Sequence, residues 1–189
     1  VVVAVIDTGV DTTHEDLRSN IWSDPNPQNF NIIGNDISVS KRPLALISNQ
    51  KSFGWDFVTS RPNPVDEHGH GTHVAGIIGA ALNVKAGVSG VAHKVSLMPI
   101  RYYSDANPGP INLKNTISAI HYAIDRGARI INYSGGGPEY SRDEYLALKK
   151  AEARGILVVA AAGNERKDTD LPENYYYPAA YGLSNIISV

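Results

Sequence analysis

A mostly parallel α/β sheet flanked by helices is predicted by three observations. Short apolar, β-branched runs recur at 1–6, 95–100, 129–133, 156–161 and 185–189. Helix-period stretches separate most of them. The runs hold about four to six residues with little alternation, the pattern of strands buried on both faces of a parallel sheet. The order strand, helix, strand, helix, strand then implies right-handed crossovers.

The elements follow in chain order. The opening VVVAVI reads as a buried strand that ends at Asp7, with Gly9 letting the chain turn away. Residues 20–66 are rich in Pro, Asn, Ser and Asp and carry turn signals without periodicity, so a long, elaborated loop is expected there. Residues 72–82, THVAGIIGAAL, read as a helix that is apolar nearly all round and therefore central and buried. After the 95–100 strand, residues 111–127 place Leu113, Ile117, Ile120, Ala123 and Ile124 on one helix face and stop at Gly127. After the 129–133 strand, Ser141 stands three residues before Glu144, a capping box, and that helix stops at Gly155.

A chain of 189 residues is long enough for one well-buried domain. Hydrophobic residues make up 42% and charged residues 19%, a globular composition. A formal net charge of −2 gives no electrostatic reason to expect nucleic acid or an anionic membrane. No apolar stretch is long enough to span a bilayer as a helix. Cysteine is absent, which removes disulfides, thiolate nucleophiles and zinc–cysteine sites. The chain starts and stops inside apolar runs, as a domain cut short at both ends would.

Ligands gather at the carboxyl ends of parallel strands. Asp7 sits at such an end, where a carboxylate can orient a histidine, hold a metal or cap a turn. Its D-T-G triplet is shared with aspartic peptidases, which need two such aspartates; no second D-T-G exists here. The segment EHGHGTHVAG places His68, His70 and His73 together just before and within the central helix. The His70–His73 spacing suits a metal on a helix face, but the Glu of the H-E-x-x-H zinc motif is missing. A helix start disfavours a bound cation and favours a neutral imidazole, which suits a general base. Spacing alone leaves catalysis, metal binding and plain structure open.

Three blocks, VAVIDTGVDTTHEDL, HGHGTHVAGIIGA and VVAAAGNE, resemble in order and spacing the signatures of the subtilisin-like serine peptidases, the subtilases. The resemblance runs through nearly the whole chain. It implies a three-layer subtilisin-like fold, here a single partial domain over 1–189, and a parent serine endopeptidase acting on peptides or proteins. Asp7 then matches the triad aspartate and His70 the triad histidine. Asn164 matches the side chain that completes the oxyanion hole, a kind of donor whose loss costs roughly 2.7–4 kcal/mol of transition-state stabilisation. Ser134, Gly135 and Gly136 match the edge that pairs with substrate backbone and walls one side of the primary specificity pocket; Ala161, Ala162 and Gly163 match the opposite wall. His73 and His68 are implied to be structural or peripheral. An extracellular or cell-envelope location is implied by the family alone.

The resemblance also exposes departures. The family's nucleophile lies in a G-T-S-x-A-x-P block, and none occurs in these residues. Ser134 is the tempting substitute, yet it falls on the substrate-binding edge. The chain by itself is therefore expected to be inactive, with the serine segment elsewhere in the parent or on a second chain. The alternative is a non-catalytic binding or regulatory domain, which would capture peptides or a propeptide-like partner; retention of Asp7, His70 and Asn164 favours the peptidase. Gly135 stands where Leu is frequent and should widen the adjoining pocket, and Pro108 and Pro110 interrupt the second substrate-pairing edge. Asp16 matches a calcium-ligand position, but Val84 stands where an oxygen is often supplied, and hard cations want six to eight oxygens. No cofactor or metal is expected to be required, structural calcium at Asp16 stays open, and a turn cap is the other role for Asp16.

Overall fold

The computed structural model describes residues 1–25, 30–33, 36–39, 52–82 and 87–189. Its strands are β1 (Val2–Asp7), β2 (Phe30–Ile33), β3 (Asp36–Val39), β4 (Trp55–Asp56), β5 (Arg61–Pro62), β6 (Ser96–Arg101), β7 (Ile130–Tyr133), β8 (Leu157–Ala160) and β9 (Ile186–Ser188). Its helices are α1 (His70–Gly79), α2 (Gly109–Asp125) and α3 (Arg142–Ala153). Seven strands form one sheet in the order β5-β4-β6-β1-β7-β8-β9, while β2 and β3 make a separate two-stranded ribbon. Every pairing in the larger sheet is parallel except β4 with β5. The carboxyl ends of β6, β1, β7 and β8 therefore line one edge.

Alternation along β1 sorts the core into two layers. Ala4 and Ile6 pack with Met98, Ile100, Ile131 and Val158 against residues of α2 and α3 such as Ile120, Ala123 and Leu148. Val5 and Leu97 point to the other face and pack with Ala75 of α1, Val10 and Leu17. Helices thus cover both faces of a sheet whose central strands β6 and β1 are buried beyond their first residue, as near-continuous apolar runs require.

Three expectations need correction. The run 72–82 is not buried all round: Gly71, Ala75 and Gly79 are buried, whereas Ile77 is 69% exposed. Small residues four apart let α1 lie close on β1 and β6, with Val74 and Ile78 packed at the flanks of that contact and Ile77 turned outward. Residues 108–110 do not run along an extended edge. Pro108 caps α2 and Pro110 lies in its first turn, where a missing N–H leaves no helical bond unmade. The region 20–66 holds β2 to β5 rather than loop alone; strands of two to four residues are too short to show periodicity.

Candidate active site

Asp7 is the last residue of β1 and is 3% exposed. Its Oδ1 accepts the Thr8 N–H at 2.7 Å and lies 2.7 Å from Nδ1 of His70. With a carboxylate as partner, Nδ1 is the donor. That fixes the tautomer and leaves Nε2 as the ring nitrogen free to take a proton. The His70 side chain is 47% exposed, so the pair joins a buried anchor to an accessible imidazole.

The two residues meet because α1 approaches the end of β1 very closely. Gly71 makes this possible: a Cβ there would collide with the Gly9 carbonyl and come within 3.0 Å of the Asp7 Cβ. The helix begins at His70, two residues earlier than the sequence predicts, because Gly69 at φ +97° turns the chain into it. Gly69 offers no capping side chain, and the exposed N–H groups of the first turn need partners. Remote residues supply them. Thr8 Oγ1 accepts the Gly71 N–H at 3.0 Å, and Asp66 Oδ2 accepts the Thr72 N–H at 2.9 Å.

Asp66 is the hub of this arrangement. Its Oδ1 also accepts from Thr8 Oγ1 at 2.9 Å, from Gly69 N at 2.8 Å and from His68 N at 3.0 Å. The Thr72 hydroxyl donates to Oδ2 at 2.6 Å. Burial pushes the Asp66 carboxyl up, but hydrogen bonds from Thr72, Gly69 and Thr8 outweigh it and hold its pKa at about 2. Sequence reasoning missed both Thr8 and Asp66. The available signal was the position of Asp66 three residues before Gly69, a spacing that lets an Asp side chain reach forward to backbone N–H groups.

A second brace sits on the neighbouring strand. Arg101, 7% exposed at the end of β6, donates from Nη2 to Glu67 at 2.7 Å and lies 3.6 Å from Asp56. Asp56 in turn accepts the Val58 and Thr59 N–H groups. The loop leading into α1 is thereby tied to the sheet edge beside Asp7.

The remaining site residues follow β7 and β8 on the same edge. Ser134 is partly buried, and its hydroxyl accepts from Asn132 Nδ2 at 2.9 Å. Asn164 is exposed on the loop after β8, beyond Ala161, Ala162 and Gly163. Gly135 does not widen a pocket. A Cβ there would collide with the Tyr102 hydroxyl and approach the Tyr133 ring at 3.1 Å, so aromatic groups already take the space. His73 is exposed on α1, and the His68 ring meets His70 edge-on at 6.3 Å. Among the described residues no group of three or more His, Asp or Glu side chains is arranged to hold a metal.

Asp16 is 4% exposed. Its Oδ2 accepts the Val88 N–H at 3.0 Å, and its carbonyl accepts the Ala81 N–H at 2.8 Å, so it caps the segment after α1. Oδ1 is buried without a hydrogen bond among the described residues. A cation would suit that oxygen, but Asp16 supplies one carboxylate where a hard cation needs six to eight oxygens, and Val84 lies outside the described residues.

A strand-end carboxylate thus holds a helix-start imidazole on the carboxyl edge of a parallel sheet, an arrangement able to take up and return a proton. The subtilase family model matches residues 1–189, and the chain belongs to that family. It is 36% identical over 179 residues to the major intracellular serine protease of Bacillus subtilis (strain 168), covering 95% of this chain and 47% of that protein. Thermitase of Thermoactinomyces vulgaris is 32% identical over 187 residues, 99% of this chain and 53% of its own length. Among solved structures, the S41 psychrophilic protease superposes with a TM-score of 0.72 at 28% identity, covering 99% of this chain and 52% of that one. The chain thus spans about half the length of these relatives. No helix among the described residues is long and apolar enough to cross a membrane.

Proposed function

We propose that these residues form the Asp/His half of a subtilisin-type serine endopeptidase, completed by a nucleophilic serine carried outside them. The 2.7 Å contact between Asp7 Oδ1 and His70 Nδ1 carries this reading. In the proposed reaction His70 Nε2 removes the serine hydroxyl proton as the oxygen attacks the scissile carbonyl. Asn164 donates its amide hydrogen to the resulting oxyanion. The protonated imidazole then gives its proton to the departing amine, and a water repeats the sequence to release the acid. Asp7 holds the ring in the working tautomer throughout. Extended substrate pairs with residues 134–136, and residues 161–163 form the opposite wall.

No cofactor enters this chemistry, and a calcium ion at Asp16 would serve the fold alone. The serine segment belongs either to the same parent chain or to a second chain. Location outside the cell or at its envelope is part of the proposal on family grounds, although two relatives are by their names intracellular.

The test is kinetic. In the complete protein, His70→Ala should lower kcat by roughly 10⁴-fold or more while leaving the melting temperature nearly unchanged. Normal turnover by that variant would exclude the assignment. A non-catalytic binding domain would instead capture peptides with no turnover from either form.

A further inference from the structure

We propose that Tyr176 fills the space between the two walls of the substrate groove, so that the residue before the scissile bond must be small: glycine, alanine or serine. The proposal rests on the peptidase reading above and deepens it. The walls are the segments leaving two adjacent parallel strands, 134–136 after β7 and 161–163 after β8. The chain returns between them through an antiparallel bridge, in which the Gly137 N–H donates to the Tyr177 carbonyl at 3.0 Å and the Tyr177 N–H to the Gly137 carbonyl at 2.8 Å. That bridge presents Tyr176 to the groove.

One ring touches both walls. A Cβ on Gly136 would lie 2.6 Å from Cε1 and 3.2 Å from Cδ1 of Tyr176, whereas a Cβ on Gly163 would lie 3.3 Å from Cδ2 and 3.4 Å from Cγ. These are opposite edges of the same ring. The ring thus occupies the space between the two walls; a cavity of about 500 Å³ that borders Gly136 is lined by Tyr102, Tyr133 and Tyr177 and by no residue of 161–163. The ring is partly buried, and the Tyr176 carbonyl is anchored by the Ala180 N–H at 2.9 Å. A cavity of about 290 Å³ nearby is lined by Ala162, Gly163 and Tyr176, together with Glu165, but by no residue of 134–136. It borders one wall only. The space beside Gly135 is closed in turn by Tyr102. At Gly136 and Gly163 the Tyr176 ring stands beside the Tyr177 carbonyl and the Glu165 carboxylate respectively, so the wall glycines admit backbone while the ring holds the space between them.

The test uses the complete protein and matched peptide substrates that differ only at the residue before the scissile bond: Ala, Phe or Arg. The wild type should cleave the Ala peptide with a kcat/KM at least about tenfold above the other two, the scale on which a pocket discriminates by steric fit. Tyr176→Gly should invert the Ala-to-Phe ratio, and Tyr176→Phe, which keeps the ring, should leave it within about twofold. A wild-type preference for Phe, as if the ring were a stacking platform, overturns the proposal. So does a preference for Arg, which would assign recognition to Glu165 beside Gly163. Should Tyr176→Gly fail to fold, the wild-type preference and Tyr176→Phe still decide. A protein that cleaves none of the peptides and takes no fluorophosphonate label overturns the peptidase reading itself; a labelled, active enzyme that favours Phe overturns only the role of Tyr176.

Discussion

At the scale of single residues, the site depends on polar groups that the peptidase signatures do not name. Asp7 and His70 were legible in the sequence, because a strand-end carboxylate and a helix-start imidazole are positional facts that a motif preserves. Asp66 and Thr8 were not, because their roles depend on a contact between segments nearly sixty residues apart in the chain, the Thr8–Asp66 hydrogen bond at 2.9 Å. Asp66 titrates in the folded state at about 2 against an ordinary 3.8. A carboxyl whose folded pKa is depressed contributes stability that is fully present above the unfolded value and is lost as pH falls through the folded one. Asp66→Asn should therefore lower the melting temperature near pH 7 and flatten its fall between about pH 4 and pH 2, as thermal melts across that range would show. An unchanged acid limb would count against the hub. Asn164→Ala should lower kcat by roughly 10²–10³ with little change in KM, because in the proposed reaction its donor acts on charge that develops in the transition state. A rise in KM alone would place Asn164 in ordinary substrate binding; the expected magnitude is that of a subtilisin oxyanion donor, and this chain is a member of the same family.

At the scale of elements, the approach of α1 to β1 matters most. The strands of the buried sheet were readable within about a residue, since uninterrupted β-branched runs have few other uses. Half of the capping box of α3 was readable: the Ser141 Oγ accepts the Glu144 N–H at 3.3 Å, but the Ser141 N–H donates to the Tyr181 hydroxyl, which in turn donates to the Glu144 carboxylate, so the box closes through Tyr181. The short strands β4 and β5 were not, because two residues carry no period. Nor was the outward face of α1 legible; composition reports how apolar a helix is but not which residues meet the sheet. Gly71 is where that packing becomes chemistry. Gly71→Ala should push α1 off the end of β1 and destabilise the fold by about 1–3 kcal/mol, the usual cost of overpacking. It should also lower kcat/KM, because the Asp7–His70 contact lengthens. Wild-type stability and activity in that variant would show that the close approach is not needed.

At the scale of the whole molecule, a parallel sheet delivers its functional groups to one edge by topology. Asp7, Arg101, Ser134 and the segment leading to Asn164 all follow strands that end on that edge. The two-layer core holds those ends rigid, with Ala4, Val5, Ile6, Leu97, Met98 and Ile100 all fully buried behind them. What this scaffold lacks within its 189 residues is a G-T-S nucleophile block, and Ser134 is engaged by Asn132. The central claim is that Asp7 and His70 activate a serine outside these residues. Fluorophosphonate labelling of the complete protein, with the adduct mapped by mass spectrometry, tests it most directly. One labelled serine outside residues 1–189 is expected, with labelling lost in His70→Ala. An adduct on Ser134, or labelling that persists without His70, would contradict it.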